Sequence, residues 1–310
     1  MTFTYALIRS LRGALTVLVL LTLVFVILRL SGDPLDAMLG DEAEPELVAY
    51  YTALYGLDRP IWEQYLRYFG GLMQGDFGFS YRDGRDALEV VLERVPATLQ
   101  LGLTSIAFGV FLSIPLGILG ALYRDSPLDR CTMAFAVFGF SLPNFFLGIL
   151  LILLFTMTLQ ILPSSGTGSW KHMVMPVITL GTSSAGSIAR FARSSMLEVL
   201  PKPYMITAAA KGITRLRRIT WHALPNAAIP LVTILGFRIG DIIAGAVVVE
   251  AVFAWPGVGR LLVSSVSSRD LAIVQTIVIL VTLTMVLTNL LVDLAYGWID
   301  PRLRTERKGK

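Results

Sequence analysis

Three charged residues lie in one apolar stretch, and their type and spacing could bind a charged ligand inside a membrane. Arg238 and Asp241 stand three residues apart, so on a helix they share one face and can form an ion pair. A charge at the centre of a bilayer is costly, so we expect this pair to face protein or a water-filled cavity. Two roles stay open for it: a structural link between helices, or a lining that meets a zwitterionic substrate. Glu250, near the end of the stretch, could share that lining or simply reach the interface.

No pattern of covalent or metal chemistry accompanies these charges. The sequence has no Gly-x-x-x-x-Gly-Lys-Ser/Thr loop for nucleotide phosphates, no His-Glu-x-x-His zinc pair and no Gly-x-Ser-x-Gly nucleophile turn. Its two histidines, His172 and His222, fall on opposite sides of the membrane predicted below and cannot form one site. The single cysteine, Cys131, excludes an internal disulfide, and we expect it to be a small buried apolar residue. We therefore expect no catalytic residue, metal site or cofactor in this chain.

The elements that position these residues are predicted to be membrane-spanning helices. The chain has 310 residues, 55% of them hydrophobic and 15% charged, with a mean hydropathy of +0.69. This composition is too apolar for a soluble protein, and six segments are long enough to cross roughly 30 Å of hydrocarbon. The predicted fold class is an all-α polytopic membrane protein with six transmembrane helices. These lie near residues 11–30, 97–122, 132–159, 173–197, 227–250 and 272–298.

Charge asymmetry predicts the orientation of these spans. Residues 1–12, 124–130, 190–222 and 301–310 hold sixteen of the 26 Lys and Arg residues and four acidic residues. Residues 31–95, in contrast, carry thirteen acidic residues and five arginines. The positive-inside rule therefore places both termini in the cytoplasm and residues 31–95 outside it, as an insertion after the first helix. We expect one domain to account for residues 1–310.

Residues 198–226, called the basic segment below, are too polar to lie in lipid and are predicted to form a cytoplasmic structure. Pro203 can start a short helix, and Gly212 can end it in a left-handed cap. Thr214 can cap a second short helix until Pro225 interrupts the pattern. A structure of this kind is expected to touch a partner.

The order and spacing of several short motifs resemble one family of ABC-importer inner-membrane permeases, its dipeptide, oligopeptide and nickel branch. The resemblance runs from end to end of the chain. Its motifs are Leu30-Ser-Gly-Asp-Pro34, Tyr55-Gly-Leu-Asp-Arg-Pro60, Gln74-Gly-Asp-Phe-Gly78, Pro96-Ala-Thr-Leu99, Ser141-Leu-Pro-Asn144, Arg190 to Glu198, Phe253-Ala-Trp-Pro-Gly-Val-Gly-Arg260 and Asp300-Pro-Arg302.

The resemblance implies the type I importer permease fold and a bacterial inner-membrane subunit with several partners. These are a second related permease, two ATPases that carry ATP and Mg, an extracytoplasmic solute-binding protein and the lipid bilayer; no nucleic acid is implied. In such permeases a coupling helix sits in a cleft of the ATPase. The matching residues here are Tyr204, Thr207, Ala208, Gly212, His222, Leu224, Pro225 and Asn226. Where members commonly show Arg-Thr-Ala-Arg-Ala-Lys-Gly, this chain has Ile206-Thr-Ala-Ala-Ala-Lys-Gly212, which leaves open the ionic contacts with its ATPase.

The function predicted from this resemblance is translocation of di- or oligopeptides. Within the family, nickel, a metallophore or glutathione are alternative cargoes. Because the residues suited to bind metal are scattered along the sequence, peptides are favoured. From other classes, the rivals are an ion-coupled transporter acting alone, which would need Arg238, Asp241, Glu250 and Asp293, and an intramembrane enzyme. The permease sequence leaves the identity of the cargo open.

Overall fold

A computed structural model describes residues 3–30, 35, 39, 44–240 and 242–299 of the chain. Its helices are α1 Phe3–Leu30, α2 Pro45–Tyr55, α3 Ile61–Met73, α4 Ala87–Leu122, α5 Pro127–Ser141, α6 Asn144–Leu151, α7 Trp170–Val199, α8 Pro203–Ala210, α9 Arg215–Arg217, α10 Leu224–Gly240, α11 Ile242–Val252, α12 Val258–Ser267 and α13 Leu271–Ile299. Two π-helical segments, Ile152–Thr158 and Arg218–Ala223, continue α6 and α9. A short antiparallel hairpin pairs β1, Phe79–Ser80, with β2, Arg85–Asp86. The all-α prediction is confirmed. Asp241 and the motif residues 31–34 and 300–302 lie outside the described residues.

The first compact unit comprises Met1–Ala97 and Pro256–Val286. On α1, the buried Phe25 meets the rings of Tyr65 and Tyr68 on α3 at centroid distances of 5.4 and 5.8 Å. Ser80 in the hairpin donates a 2.5 Å hydrogen bond to Asp270, immediately before α13, and both residues are buried. Aromatic packing therefore holds α3 onto α1, and one buried polar contact holds the hairpin beside the start of α13.

The second compact unit comprises Thr98–Trp255 and Leu287–Lys310, and α7 is its central helix. Helix α7 packs against α5, α6, α10 and α11. Half of its side chains are buried, 15 of 30, and most of these are small. A Cβ atom added to Gly186 of α7 would lie 2.5 Å from the carbonyl oxygen of Ala136 on α5. The two backbones therefore touch, which a larger residue at 186 would prevent.

The predicted spans differ in how clearly the described helices support them. By length and composition, two of these helices can cross a membrane, Ala87–Leu122 and Leu271–Leu291, and the number rises to four if each of two bent pairs is one span. Within α1, the apolar helical stretch Leu11–Ile27 is shorter. Helix α7 is 30 residues long but less apolar, because its buried face consists largely of Ser, Thr, Gly and Ala. Protein contacts, rather than lipid, surround that face.

The predicted span at 132–159 is broken rather than straight. Helices α5 and the stretch Asn144–Thr158 are bent by 103° at Leu142 and Pro143. Leu142 is extended, with φ −82° and ψ 125°, because the ring of a following proline disfavours the helical region. The Ser-Leu-Pro-Asn motif therefore marks a sharp change in the direction of the chain.

The expectation that Cys131 on α5 is buried was wrong, since this residue is exposed on the chain.

Candidate functional site

Helix α8 begins and ends where the sequence predicts. Pro203 occupies the first turn after Lys202, and Gly212 adopts φ +75° beyond the last turn. The N–H groups of Gly212 and Ile213 donate to the carbonyl oxygens of Ala209 and Ala208 at 3.0 and 3.2 Å. These two bonds form a Schellman motif, which satisfies carbonyl groups that a helix end leaves free. The left-handed cap predicted at Gly212 is confirmed.

One face of α8 is fixed to the rest of the second unit. Met205 and Ala208, three residues apart, are only 5% and 6% exposed. Met205 belongs to a buried cluster that also contains Met196 of α7, Ala121 of α4 and Ala223. Ala208, predicted as a partner-contact residue, is thus turned towards its own chain. Its burial argues for a supporting role within the chain.

The opposite face of α8 is exposed and contains residues predicted for docking. Tyr204 and Thr207 are exposed, and the Thr207 hydroxyl donates to the carbonyl oxygen of Pro203 at 3.1 Å. Ile206 is 64% exposed between them. This face is therefore mostly apolar and uncharged, and it is available for contact with another protein.

The second short helix predicted in the basic segment does not end at Pro225, because the helical path from Arg215 continues into α10. Pro225 does not interrupt it, because the chain passes from the π-helical segment into α10 with Leu224 and Pro225 in its first turn. Pro225 has no N–H to donate to the carbonyl oxygen of Trp221, four residues earlier, and Trp221 lies in the π-helical segment, where the regular bond pattern is already altered. Leu224 is partly buried, Pro225 is exposed, and the amide of Asn226 donates to the carbonyl oxygen of His222 at 2.7 Å. The structure thus keeps Pro225 and Asn226 on an exposed surface.

Sequence reasoning missed two exposed apolar residues of this segment. Leu216 is 72% exposed and Trp221 is 75% exposed. A large apolar side chain in a segment too basic for lipid was the signal that could have identified them. Arg215, nearby, lies over the ring of Tyr123 at 5.6 Å, which fixes this stretch against the end of α4. Apolar contact, flanked by basic residues, is what this surface can offer a partner.

An ion pair joins α5 to α7 a few residues before the basic segment begins. Arg193 on α7 forms a two-pronged salt bridge with the buried Asp129 of α5, with N–O distances of 2.5 and 2.7 Å. Asp129 also accepts from the backbone N–H of Asp125 at 2.9 Å. Bidentate arginine–carboxylate pairs are the more rigid kind of salt bridge. The loop before α5 and the C-terminal part of α7 are therefore held together.

The structure does not bring the predicted path residues into one described cluster. Arg238 of α10 donates to the hydroxyl of Ser187 on α7 at 2.7 Å. Glu250 of α11 is fully buried and accepts from the hydroxyl of Thr98 on α4 at 2.6 Å. Glu250 therefore does not reach the surface of the chain in this conformation, and a role for it in the path stays a prediction. Asp241 lies outside the described residues, so its pairing with Arg238 also stays a prediction.

The chain matches two models of membrane components of transport systems along most of its length. Residues 113–305 match the binding-protein-dependent transport system inner membrane component, and residues 3–102 match the N-terminal part of such membrane components. The chain therefore belongs to the family of binding-protein-dependent transport system inner membrane components. This places it in the inner membrane as a multi-pass permease.

Two curated relatives resemble the chain over nearly all of both sequences. The glutathione transport system permease protein GsiC of Salmonella paratyphi A is 42% identical over 93% of this chain and 95% of its own length. The dipeptide transport system permease protein DppB of Escherichia coli K12 is 39% identical over 93% of this chain and 94% of its own length. The sequence resemblance to the dipeptide and oligopeptide permease branch is confirmed.

Solved structures confirm the fold. An inward-facing form of the MetNI methionine ABC transporter gives a TM-score of 0.57 at 20% identity, covering 68% of this chain and 96% of that one. An amino acid ABC transporter crystallised with histidines gives 0.52 at 17% identity, covering 66% of this chain and 92% of that one. The chain therefore has the predicted type I importer permease fold.

Proposed function

We propose that this chain is a permease subunit of an importer for di- or oligopeptides, driven by ATP hydrolysis on partner subunits. The observation that supports this cargo is identity of 42% and 39% to permeases named for glutathione and dipeptide transport. Glutathione is itself a small peptide, so both names describe one chemical class. Family membership implies ATPase, solute-binding and second-permease partners, whereas covalent chemistry on this chain is not required.

The proposed assembly contains this permease, a second related permease, two ATP-binding subunits that hold ATP and Mg, and an extracytoplasmic solute-binding protein. Both termini and the basic segment face the cytoplasm, as the distribution of Lys and Arg suggests. Residues 1–310 act as one transmembrane domain. The exposed face of α8, with Tyr204 and Thr207, and the surface around Leu216, Trp221 and Asn226 dock on an ATPase.

Docking at this surface transmits force because α8 is anchored on its other face. Met205 lies against residues that end α4 and α7, so movement of α8 moves helices that belong to the membrane part. A partner shifts a two-state equilibrium only if it contacts the two states differently. Closure of the ATPases is therefore proposed to favour one orientation of the cavity, and their opening the other.

Arg238 and Asp241 are proposed to line the path that this switch opens and closes. Arg238 reaches Ser187 on α7, so its guanidinium already bridges two helices that pack together. A guanidinium there can meet the carboxylate end of a zwitterionic peptide. Glu250, fully buried with Thr98 as a partner, is proposed to brace α11 against α4, with direct contact to peptide as the weaker role.

Glutathione is the second cargo that a specific observation favours, because the relative with 42% identity is a glutathione permease. Uptake by the full importer in proteoliposomes distinguishes the cargoes. Dipeptide, pentapeptide, glutathione and nickel are offered at equal concentration, each with the co-purified solute-binding protein and with or without ATP inside. ATP-dependent uptake of peptides supports the proposal. Uptake by the chain alone, without ATP, would overturn it in favour of an ion-coupled transporter.

A further inference from the structure

A cavity of about 250 Å³ in the first compact unit is lined by three arginines for which the proposed function has no role. Arg82 lies in the turn between β1 and β2, Arg94 on α4 and Arg260 on α12. The other lining residues carry no ionisable side chain: Pro256, Gly257, Leu261 and Ser264. Three separate elements therefore bring guanidinium groups to one concave surface.

Among the residues that the structure describes, no carboxylate lines this cavity. Elsewhere in the same unit, Arg85 is paired with both Glu89 and Glu93. Within the described ranges, neither Arg82 nor Arg94 forms a salt bridge. Arg82 and Arg94 therefore bring two positive charges to the cavity that no described salt bridge neutralises, and an anion between them replaces their mutual repulsion with attraction. The ligand that fits this charge pattern is an anion.

The cavity lies at the level expected of lipid headgroups. Arg94 is the last charged residue before an uncharged stretch that runs from residue 95 to residue 122 within α4. At about 1.5 Å per residue this stretch is about 42 Å long. A bilayer is about 40–45 Å thick with its headgroups, so a charge at either end of the stretch falls among them.

We propose that this cavity binds the phosphate of an anionic phospholipid headgroup. The planar fork of arginine matches phosphate oxygens, and basic pockets beside transmembrane helices take such headgroups. On α12, Val263 and Val266 follow Arg260 by about one and two turns and are exposed, which gives the acyl chains an apolar surface. The proposal does not depend on which leaflet faces the cavity, and it is independent of the cargo.

Native mass spectrometry of the full-length chain, purified with its co-purifying subunits and stripped of lipid, tests this proposal. The probe is phosphatidylglycerol, titrated into wild type and into Arg82→Gln, Arg94→Gln and Arg260→Gln. Each variant removes charge-assisted hydrogen bonds to phosphate, so binding should weaken about tenfold or more. Arg59→Gln is the control, because Arg59 is an exposed arginine of the same unit that does not line the cavity. Arg82 lies in an exposed turn, so its variant keeps the test valid if another fails to fold.

Further measurements distinguish the source of the anion. Diacylglycerol, which lacks phosphate, should bind equally to wild type and variants, and inorganic phosphate should compete only at much higher concentration than the lipid. Equal phosphatidylglycerol binding by wild type and all three variants would overturn the proposal. So would a tenfold loss of solute-binding-protein affinity in neutral-lipid nanodiscs while lipid binding stays unchanged, since the cavity would then hold a protein carboxylate. Neither result depends on peptide transport.

Discussion

At the scale of single residues, Gly212 determines how the basic segment turns after α8. Its φ of +75° belongs to the left-handed region, and a Cβ added there would meet no atom within 4 Å. The backbone conformation, rather than a lack of space, therefore limits which residues can occupy position 212. For residues with a side chain that conformation costs about 1–2 kcal/mol, and more for β-branched ones. The exposed surface beyond the cap depends on this one position.

Gly212→Val should leave the protein inserted but uncouple transport from ATP hydrolysis. Loss of the left-handed cap moves Ile213 and the following residues relative to α8, so the ATPase contact changes shape. We expect peptide uptake to fall about tenfold while ATPase activity of the assembled complex persists. The matched control is Gly84→Val, since Gly84 has φ +64° and equally open surroundings but lies in the β1–β2 turn. An equal loss of uptake in both variants would argue against a coupling role for Gly212.

Asp270 gives the first unit a pH-dependent stability. Burial raises the pKa of Asp270 from its ordinary value of 3.8, although the hydroxyl of Ser80 opposes that shift, and the nearby Asp83 carboxylate adds to it. Because the pKa of Asp270 is higher in the folded state than in the unfolded state, the folded state holds the proton more tightly. The free energy of unfolding therefore falls as pH rises from the unfolded-state pKa to the folded-state pKa.

Asp270→Asn should remove this part of the pH dependence. Relative to wild type, the variant should gain melting temperature as pH rises above 3.8, the ordinary pKa of the carboxyl group, because only the wild type must then ionise a buried carboxyl. Thermal unfolding in detergent measures the difference at each pH. Asp58→Asn, an exposed carboxylate of the same unit, should follow the wild-type curve. A constant offset between the Asp270→Asn variant and wild type at every pH would contradict the argument.

At the scale of elements, sequence predicted α8 better than it predicted what α8 touches. Pro203 and Gly212 are local signals, and both ends of the helix lie where these residues place them. The burial of Met205 depends on Met196 and on Ala121, which is more than eighty residues away in sequence, and no local pattern encodes that contact. Which face of α8 is exposed could therefore be learned only from the tertiary structure.

The same contrast separates straight helices from broken ones. The span at 97–122 contains one continuous apolar run, and the structure keeps it within a single helix, α4. At 132–159 the run is equally apolar, so hydropathy alone favoured one helix, whereas Pro143 produces a 103° bend. Pro225 has the opposite outcome, because it directly follows a π-helical segment and the helix continues through it into α10. A proline's effect depends on its position in a helix, which long-range packing fixes.

Met205→Ala and Ile206→Ala should separate anchoring from docking on α8. Met205 is buried, so truncation leaves a cavity and should lower the free energy of unfolding by about 2–4 kcal/mol. Ile206 is exposed, so its truncation should change stability by less than about 0.5 kcal/mol. It should instead weaken ATPase binding, because an apolar contact is lost. Thermal unfolding and ATPase co-purification measure the two effects, and unchanged co-purification with Ile206→Ala would remove this face from the docking surface.

At the scale of the whole molecule, the distribution of charge should affect how the chain is oriented in the membrane as well as which partners it attracts. The chain has a net charge of +4, yet residues 31–95 are acidic while the basic segment is rich in Lys and Arg. Lys211, Arg215 and Arg217 are all exposed. Exposed lysines and arginines near an anionic membrane surface contribute about 1 kcal/mol each. Their first effect should therefore be on the orientation of the chain during insertion rather than on a specific ion pair with the ATPase.

Replacing Lys211, Arg215 and Arg217 together by Gln should reduce the fraction of molecules with a cytoplasmic C-terminus. A C-terminal reporter that is active on one side of the membrane only measures that fraction. The matched control replaces Arg59, Arg67 and Arg85, three arginines of the predicted outside region, by Gln. Because the rule concerns positive charge retained on the cytoplasmic side, the control should keep or strengthen the wild-type orientation. Correct orientation of the first variant with weakened ATPase binding would instead assign these charges to the partner interface, since insertion would then tolerate their loss.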